Sequence, residues 1–277
     1  MSPDFADSIP VGFLQALLLI PVIAGGLYYW ALTKELRARG GVIEVSHFGL
    51  PDLFMGSVLA MHFGWTGWQS LRHPESTSEM RVEALSNNFV FLMLVLALVI
   101  GFAVLRRLPL SRAFHLSWDT ISTSPLRAAI ALGLALPLIW AAGLVWENWL
   151  DSPAKEQSLV SLFRTSAESG DWSVVRLVVF SAVVQAPIVE EILFRGYFYV
   201  TLKRYTGTMG AALAISALFA LCHGNLGVLP GLFILSLCQI IALERFGSLW
   251  VCIVMHACFN SLSLLLLFME SQKWLPR

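Results

Sequence analysis

The sequence predicts an all-α protein, a polytopic membrane helix bundle of about eight transmembrane helices. Two observations carry that prediction. Of 277 residues, 57% are hydrophobic and only 13% are charged, with a mean hydropathy of +0.73, whereas soluble globular chains carry roughly 25% charged residues. The apolar residues are also gathered into stretches close to the ~20 residues a helix needs to cross a bilayer. A net charge of zero, with no basic block, argues against nucleic acid as a partner and leaves the lipid bilayer as the expected surroundings. The four cysteines (Cys222, Cys238, Cys252, Cys258) all fall in apolar segments, which speaks against a disulfide framework.

Taken in order, the candidate spans are 9–33, 51–70, 88–106, 126–147, 174–202, 209–224, 228–245 and 248–269. The residues ahead of the first are acidic and lack a positive n-region, so this span reads as a retained anchor and not a cleaved signal. The second is diluted by glycine, His62 and several tryptophans. The fourth and fifth contain Pro137 and Pro187, which neighbouring helices can absorb; a kink at Pro187 could help to open a cavity beside Glu190. The sixth is short, and His223-Gly224-Asn225 at its end fits a re-entrant or broken segment. Two connections are polar, 71–87 and 151–171, the second long enough for a short amphipathic helix. The Lys and Arg distribution, with 34–39, 106–127, 203–204 and Arg245 on one side, places the N-terminus outside. No internal repeat is visible. Residues 1–150 form an N-terminal group of transmembrane helices, and residues 174–269 hold the chemistry-bearing side chains. Both belong to one integral membrane domain.

The most informative of these stretches carries Glu190, Glu191 and Arg195 inside an otherwise apolar span. A charge at membrane depth costs from about 2.5 to well over 10 kcal/mol, and such residues are kept where they pair, face the bundle interior or line water. Glu191 and Arg195 are i,i+4 and can meet on one face, while Glu190 points roughly 100° away and is left for another purpose. Further on, two histidines stand out against a nearly uncharged background. Phe219 and His223 share a helix face, as do His256 and Asn260.

A carboxylate, two imidazoles and a carboxamide on separate helices suffice for hydrolysis. The carboxylate takes a proton from water, one imidazole helps to hold that water, and the other with the amide donates to a developing oxyanion. Plainer readings stand beside this. Glu191 with Arg195 is favoured as a structural ion pair, Asn260 alone as helix–helix glue, and His62 as an interhelical hydrogen-bond donor. His47, His73 and His115 lie in connections and are expected to be solvated. The tryptophans (Trp65, Trp68, Trp140, Trp146, Trp149, Trp250) read as interface belt and packing, and the cysteines as small buried hydrophobes.

The ordered set Glu-Glu-x-x-x-Arg, Phe-x-x-x-His and His-x-x-x-Asn, each in its own span, resembles the signature of the CPBP family. These are the CaaX-protease and bacteriocin-processing membrane proteins, also described as abortive-infection or Rce1-type. The resemblance runs from about Ala182 to Leu265 and includes Gly-Ser-Leu-Trp leading into the last helix. It implies an all-helical intramembrane fold around a hydrophilic cavity. It also implies a CAAX-type glutamate intramembrane protease that acts on a peptide or protein substrate at the membrane. Carried onto this chain, Glu190 activates water with His223, His256 and Asn260 form the oxyanion site, and Glu191, Arg195 and Phe219 support them. The substrate classes implied are prenylated C-terminal tails, secreted precursors and C-terminal sorting anchors, with a prokaryotic cell membrane as the expected location.

No cofactor is expected. Zinc is the less favoured alternative, since Cys222 beside His223 and Cys258 beside His256 tempt as ligands. Helix neighbours point about 100° apart, however, and no His-Glu-x-x-His pattern occurs. A proton-coupled transporter is the main rival function, because buried Glu, His and Arg also mark proton relays; no inverted repeat accompanies them. A non-catalytic immunity or scaffold protein is the third.

Overall fold

The structure is a computed structural model, describing residues 11–73, 82–150 and 157–274. The N-terminal tail, residues 74–81 of the first polar connection and residues 151–156 of the second lie outside the described residues. The helices are α1 (Val11–Arg39), α2 (Leu50–Arg72), α3 (Val82–Leu105), α4 (Leu110–Ala113), α5 (Ser124–Trp149), α6 (Ser158–Ser169), α7 (Trp172–Phe180), α8 (Ala186–Glu191), α9 (Val200–Cys222), α10 (Leu229–Phe246) and α11 (Leu249–Ser271). Two π-helical segments, Ser181–Gln185 and Ile192–Tyr199, join α7, α8 and α9 into one run. No strand occurs among the described residues, so the fold is the all-α bundle that the composition predicts. Five helices are both long and apolar enough to cross a membrane by length and composition: α3, α5, the run Trp172–Cys222, α10 and α11. The chain is an integral membrane protein. Helix α1 takes in the described part of the expected span 9–33, α2 covers 51–70, and α6 is the short helix expected in the second connection.

The run Trp172–Cys222 explains how two expected spans become one element. A straight helix of its 51 residues would be about 76 Å long, against a hydrocarbon core of roughly 30 Å. The chain breaks at Gly207, whose φ of 73° and ψ of 173° are open to glycine alone at little cost. The second arm then folds back onto the first: the rings of Phe194 and Phe219 meet edge to face, 5.2 Å between centroids.

Two apolar clusters flank this returning arm. One joins α2, α3, both arms and α10, with Phe63, Phe194, Phe198, Tyr197 and Phe219 at its centre. The other packs α1 and α5 against α10 and α11 through Tyr29, Ala131, Ala135, Leu235, Cys238 and Met255. Tyr29 meets its need for a partner inside that cluster by donating to the Ala131 carbonyl at 2.8 Å. A third cluster at the far end seats α6 and α7 on α3 and α11, and the N-cap Asp171 there accepts from the Ser173 and Val174 amides.

Three expectations are corrected. Lys203 is not in a solvated connection. The helix continues through it, and its ammonium is buried on Glu244 of α10 (2.5 Å) and on the Ile43 carbonyl (3.0 Å). Tyr199 donates to the same Glu244 oxygen at 2.5 Å, and the Ile43 amide donates to the other at 3.1 Å. This buried group pins the 40–48 loop to the bundle, which no local pattern announces because its members lie far apart in sequence. His115 is half-buried, with φ +54° and its carbonyl accepting from the Leu249 amide at 3.0 Å. Burial pushes its imidazole pKa down. His62, third, meets Phe91 of α3 ring to ring (5.6 Å) and not through the interhelical hydrogen bond expected, since phenylalanines surround it. Trp65, Trp140 and Trp149 are exposed, as an interface belt requires. All four thiols are free.

Candidate active site

The site is built around α8, a six-residue α-helical stretch between two π-helical segments. Pro187 begins it and brings no N–H, so a regular ladder cannot run through this point. The chain responds with wider turns, not with a sharp bend, and the turn Ser181–Gln185 ends two residues before the proline. Wider turns rotate the following side chains relative to a plain α-helix, which places Glu190 and Glu191 against different neighbours.

Glu191 is fully buried, and one carboxylate oxygen collects three donors. Arg195 Nη1 lies at 3.1 Å, Gln239 Nε2 at 3.1 Å and His256 Nδ1 at 2.7 Å from its Oε1. The expected pair with Arg195 is therefore present and forms part of a larger group. Arg195, also fully buried, donates through Nη2 to Gln239 Oε1 at 2.6 Å. The π segment supplies Arg195, α8 supplies Glu191, α10 supplies Gln239 and α11 supplies His256. Four stretches of chain thus meet at one ion pair, and a buried pair needs this many hydrogen bonds to offset its desolvation.

Phe219 is the floor of the site. Its ring lies 4.8 Å from the ring of His223 and 5.9 Å, edge to face, from that of His256. Its carbonyl accepts from His223 Nδ1 at 2.7 Å. A carbonyl can only accept, so Nδ1 carries a proton and Nε2 is the nitrogen left for another partner. His256 likewise turns Nδ1 to a carboxylate oxygen, which leaves its Nε2 for another partner.

Glu190 is half-buried, and its Oε2 has no hydrogen-bond partner among the described residues. It is an electrostatic neighbour of His223, together with His256 and Arg195. Asn260 lies one turn beyond His256 on α11 and donates through Nδ2 to the Ala182 carbonyl at 2.7 Å, in the π turn before Pro187. All seven residues singled out from the sequence fall in this region. His256 and Asn260, however, each spend one donor on the protein, on Glu191 and on Ala182, and not on each other. Gln239 escaped the sequence reading. Its only signal is a carboxamide in the apolar stretch Leu-Cys-Gln-Ile-Ile, a polar group that a membrane helix must satisfy.

The site is seated from outside by α2. A Cβ on Gly67 would come within 2.1 Å of the Leu221 carbonyl oxygen, and one on Gly224 (φ +58°) within 2.5 Å of Ser70 Cβ. The last turn of α2 and the turn bearing His223 therefore interlock without room for a side chain. Among the described residues no three His, Cys, Asp or Glu side chains converge as a metal ion requires.

Residues 172–262 match the family model described as Rce1-like, type II CAAX prenyl endopeptidase. The matched stretch holds every residue of the group from Glu190 to Asn260 and leaves out α1 to α6. No curated protein and no solved structure matches the chain.

Proposed function

Since residues 172–262 belong to the Rce1-like family, we propose that this protein is a glutamate-type intramembrane endopeptidase. The family supports a CAAX-type membrane endopeptidase in general; the roles that follow are our reading. Glu190 takes a proton from a water held between it and Nε2 of His223. The water oxygen bonds to the peptide carbonyl carbon, and the negative charge passes to the carbonyl oxygen. The second amide N–H of Asn260 stabilises that oxyanion, and His256 joins it through Nε2 when its ring carries a second proton, with Nδ1–H kept on Glu191. Collapse breaks the C–N bond, and the proton on Glu190 passes to the leaving amine. Glu191, Arg195 and Phe219 hold the catalytic side chains without touching substrate.

One observation carries the reading. Glu190 has a buried carboxylate oxygen with no partner among the described residues, beside a histidine whose Nδ1–H bond leaves Nε2 available. Its neighbour Glu191 has three donors on one oxygen and belongs to the support. Two adjacent carboxylates thus have separate tasks, set by their surroundings. We take the step to be metal-free, since His256 and Glu191 bind each other and adjacent Cys-His pairs diverge on their helices. The substrate would be a lipidated C-terminal tail or a secreted precursor peptide, reached from a prokaryotic cell membrane.

The test is turnover of quenched peptides, including prenylated C-terminal tails, by detergent-purified protein with and without a strong chelator. Glu190→Gln, His223→Ala and His256→Ala should each abolish cleavage while the chelator leaves the parent unaffected. Zinc-restorable loss with chelator would replace the metal-free step. Full activity of Glu190→Gln would overturn the assignment.

A further inference from the structure

Gln239 bonds both members of the ion pair that supports this site, and its orientation is dictated by chemistry. Arginine has donors only, so the side-chain oxygen must be the atom facing Arg195 Nη2, at 2.6 Å. The amide nitrogen is then turned to Glu191 Oε1, at 3.1 Å, and also reaches the Cys252 carbonyl at 3.4 Å. The thiol of Cys252 returns a bond to the Gln239 carbonyl at 3.3 Å. Cys252 lies four residues before His256, one helical turn away on α11. One buried carboxamide therefore spans the ion pair of α8 and the π segment on one side and the backbone below His256 on the other.

The consequence falls on His256. Its Nδ1–H is donated to the same Glu191 oxygen that Gln239 holds, while Oε2 of Glu191 and Nε of Arg195 have no hydrogen-bond partner among the described residues. Without Gln239, Arg195 Nη2 loses its acceptor and Glu191 is free to turn its other oxygen inward. His256 then no longer meets a fixed acceptor.

We propose that Gln239 is a positioning residue of this site: by bridging Arg195 and Glu191 it fixes the tautomer and the placement of the His256 ring. The alternative is helix–helix glue between α10 and α11, the ordinary role of a membrane glutamine. The two differ in what the ring of His256 does when the bridge is removed. Where turnover is read, the proposal rests on the peptidase reading; the ring itself does not.

The experiment uses the full chain in detergent, with ring-15N-labelled histidine and the His256 signals identified by their loss in His256→Asn. Gln239→Met keeps the volume and removes the bridge. The parent should show His256 protonated at Nδ1, and Gln239→Met should show a mixture of tautomers. Its kcat should fall about ten- to hundredfold, the range typical when an outer partner of a functional side chain is lost, with KM changed by less than about threefold. Gln239→Glu keeps both volume and acceptor but sets a carboxylate against Glu191, with Arg195, His256 and Cys252 as its other neighbours. Two such carboxylates share one proton with a raised pKa. The variant should therefore be active at low pH and lose activity as pH rises through that value, a limb absent from the parent. His256 15N shifts and a pH profile unchanged in both variants, even with reduced thermal stability, would reduce Gln239 to glue. A parent that cleaves no peptide would sink the peptidase reading, while the 15N arm still decides the role of Gln239.

Discussion

The guanidinium of Arg195 lies over the ring of Phe219, with Cζ 4.3 Å from the ring centroid, while its Nη atoms bond Glu191 and Gln239. One face of the cation is thus met by an aromatic quadrupole and its edge by acceptors, a combination that suits a planar guanidinium and not an ammonium. Phe219 in turn carries His223 on its own carbonyl. The charge pair and the histidine are consequently linked through a single aromatic residue.

Breaking the pair from one side should cost more than removing it altogether. Arg195→Met leaves Glu191 charged and buried and should destabilise by about 3–5 kcal/mol. Adding Glu191→Gln to that variant should recover part of the loss. Thermal unfolding of the two single variants and the double variant in one detergent checks this; strict additivity would mean the pair is not coupled.

The cluster of Lys203, Glu244 and Tyr199 should govern the 40–48 loop. Lys203→Met removes the donor that ties Glu244 to the Ile43 carbonyl, leaving a buried carboxylate short of its cation. Hydrogen exchange should rise in residues 41–48 well before it rises in α10. Uniform protection across both would show that the loop is held by its apolar contacts instead.

Interlocking of α2 with the His223 turn predicts a paired result. Gly67→Ala must push the Leu221–Cys222 backbone aside, because its Cβ would sit 2.1 Å from Leu221 O. Gly64→Ala meets only Leu218 Cδ1 at 3.4 Å. Under the proposed function, the first should lower turnover at least about tenfold, roughly the 1.4 kcal/mol cost of a small misplacement, and the second should not. Equal activity in both would separate α2 from the site.

Asp171 caps α7 outside the membrane-spanning run, and its hydrogen bonds from Ser173 and Val174 hold its carboxyl below the ordinary range. A depressed folded pKa means that its contribution is complete above the unfolded value of about 4 and is lost as pH falls through the folded one. Amide protection at Val174 and Val175, taken relative to the intrinsic exchange rate at each pH, should fall on acidification in the parent. In Asp171→Ala that protection should be low already at neutral pH and show no such step.

The sequence by itself determined the class of this molecule and which charged side chains stand inside its apolar spans. Apolar stretches of bilayer length admit only helices, because backbone groups in lipid must bond within their own segment. Charges at membrane depth are too costly to be incidental, so Glu190, Glu191 and Arg195 identified themselves, and the i,i+4 spacing foretold the Glu191–Arg195 pair. Residues paired across helices were not legible. Gln239 is an unremarked amide in an apolar run until α10 lays it between Arg195 and Glu191. Lys203 reads as the edge of a loop until Glu244 arrives from 41 residues away. Even the two neighbouring glutamates received their separate surroundings only from tertiary structure. The π turn before Pro187 rotates them, and the packing of α9, α10 and α11 decides that Glu191 collects three donors on one oxygen while Glu190 faces His223. Local periodicity records which face a residue occupies; what that face meets depends on the return of the chain at Gly207 and on helices distant in sequence.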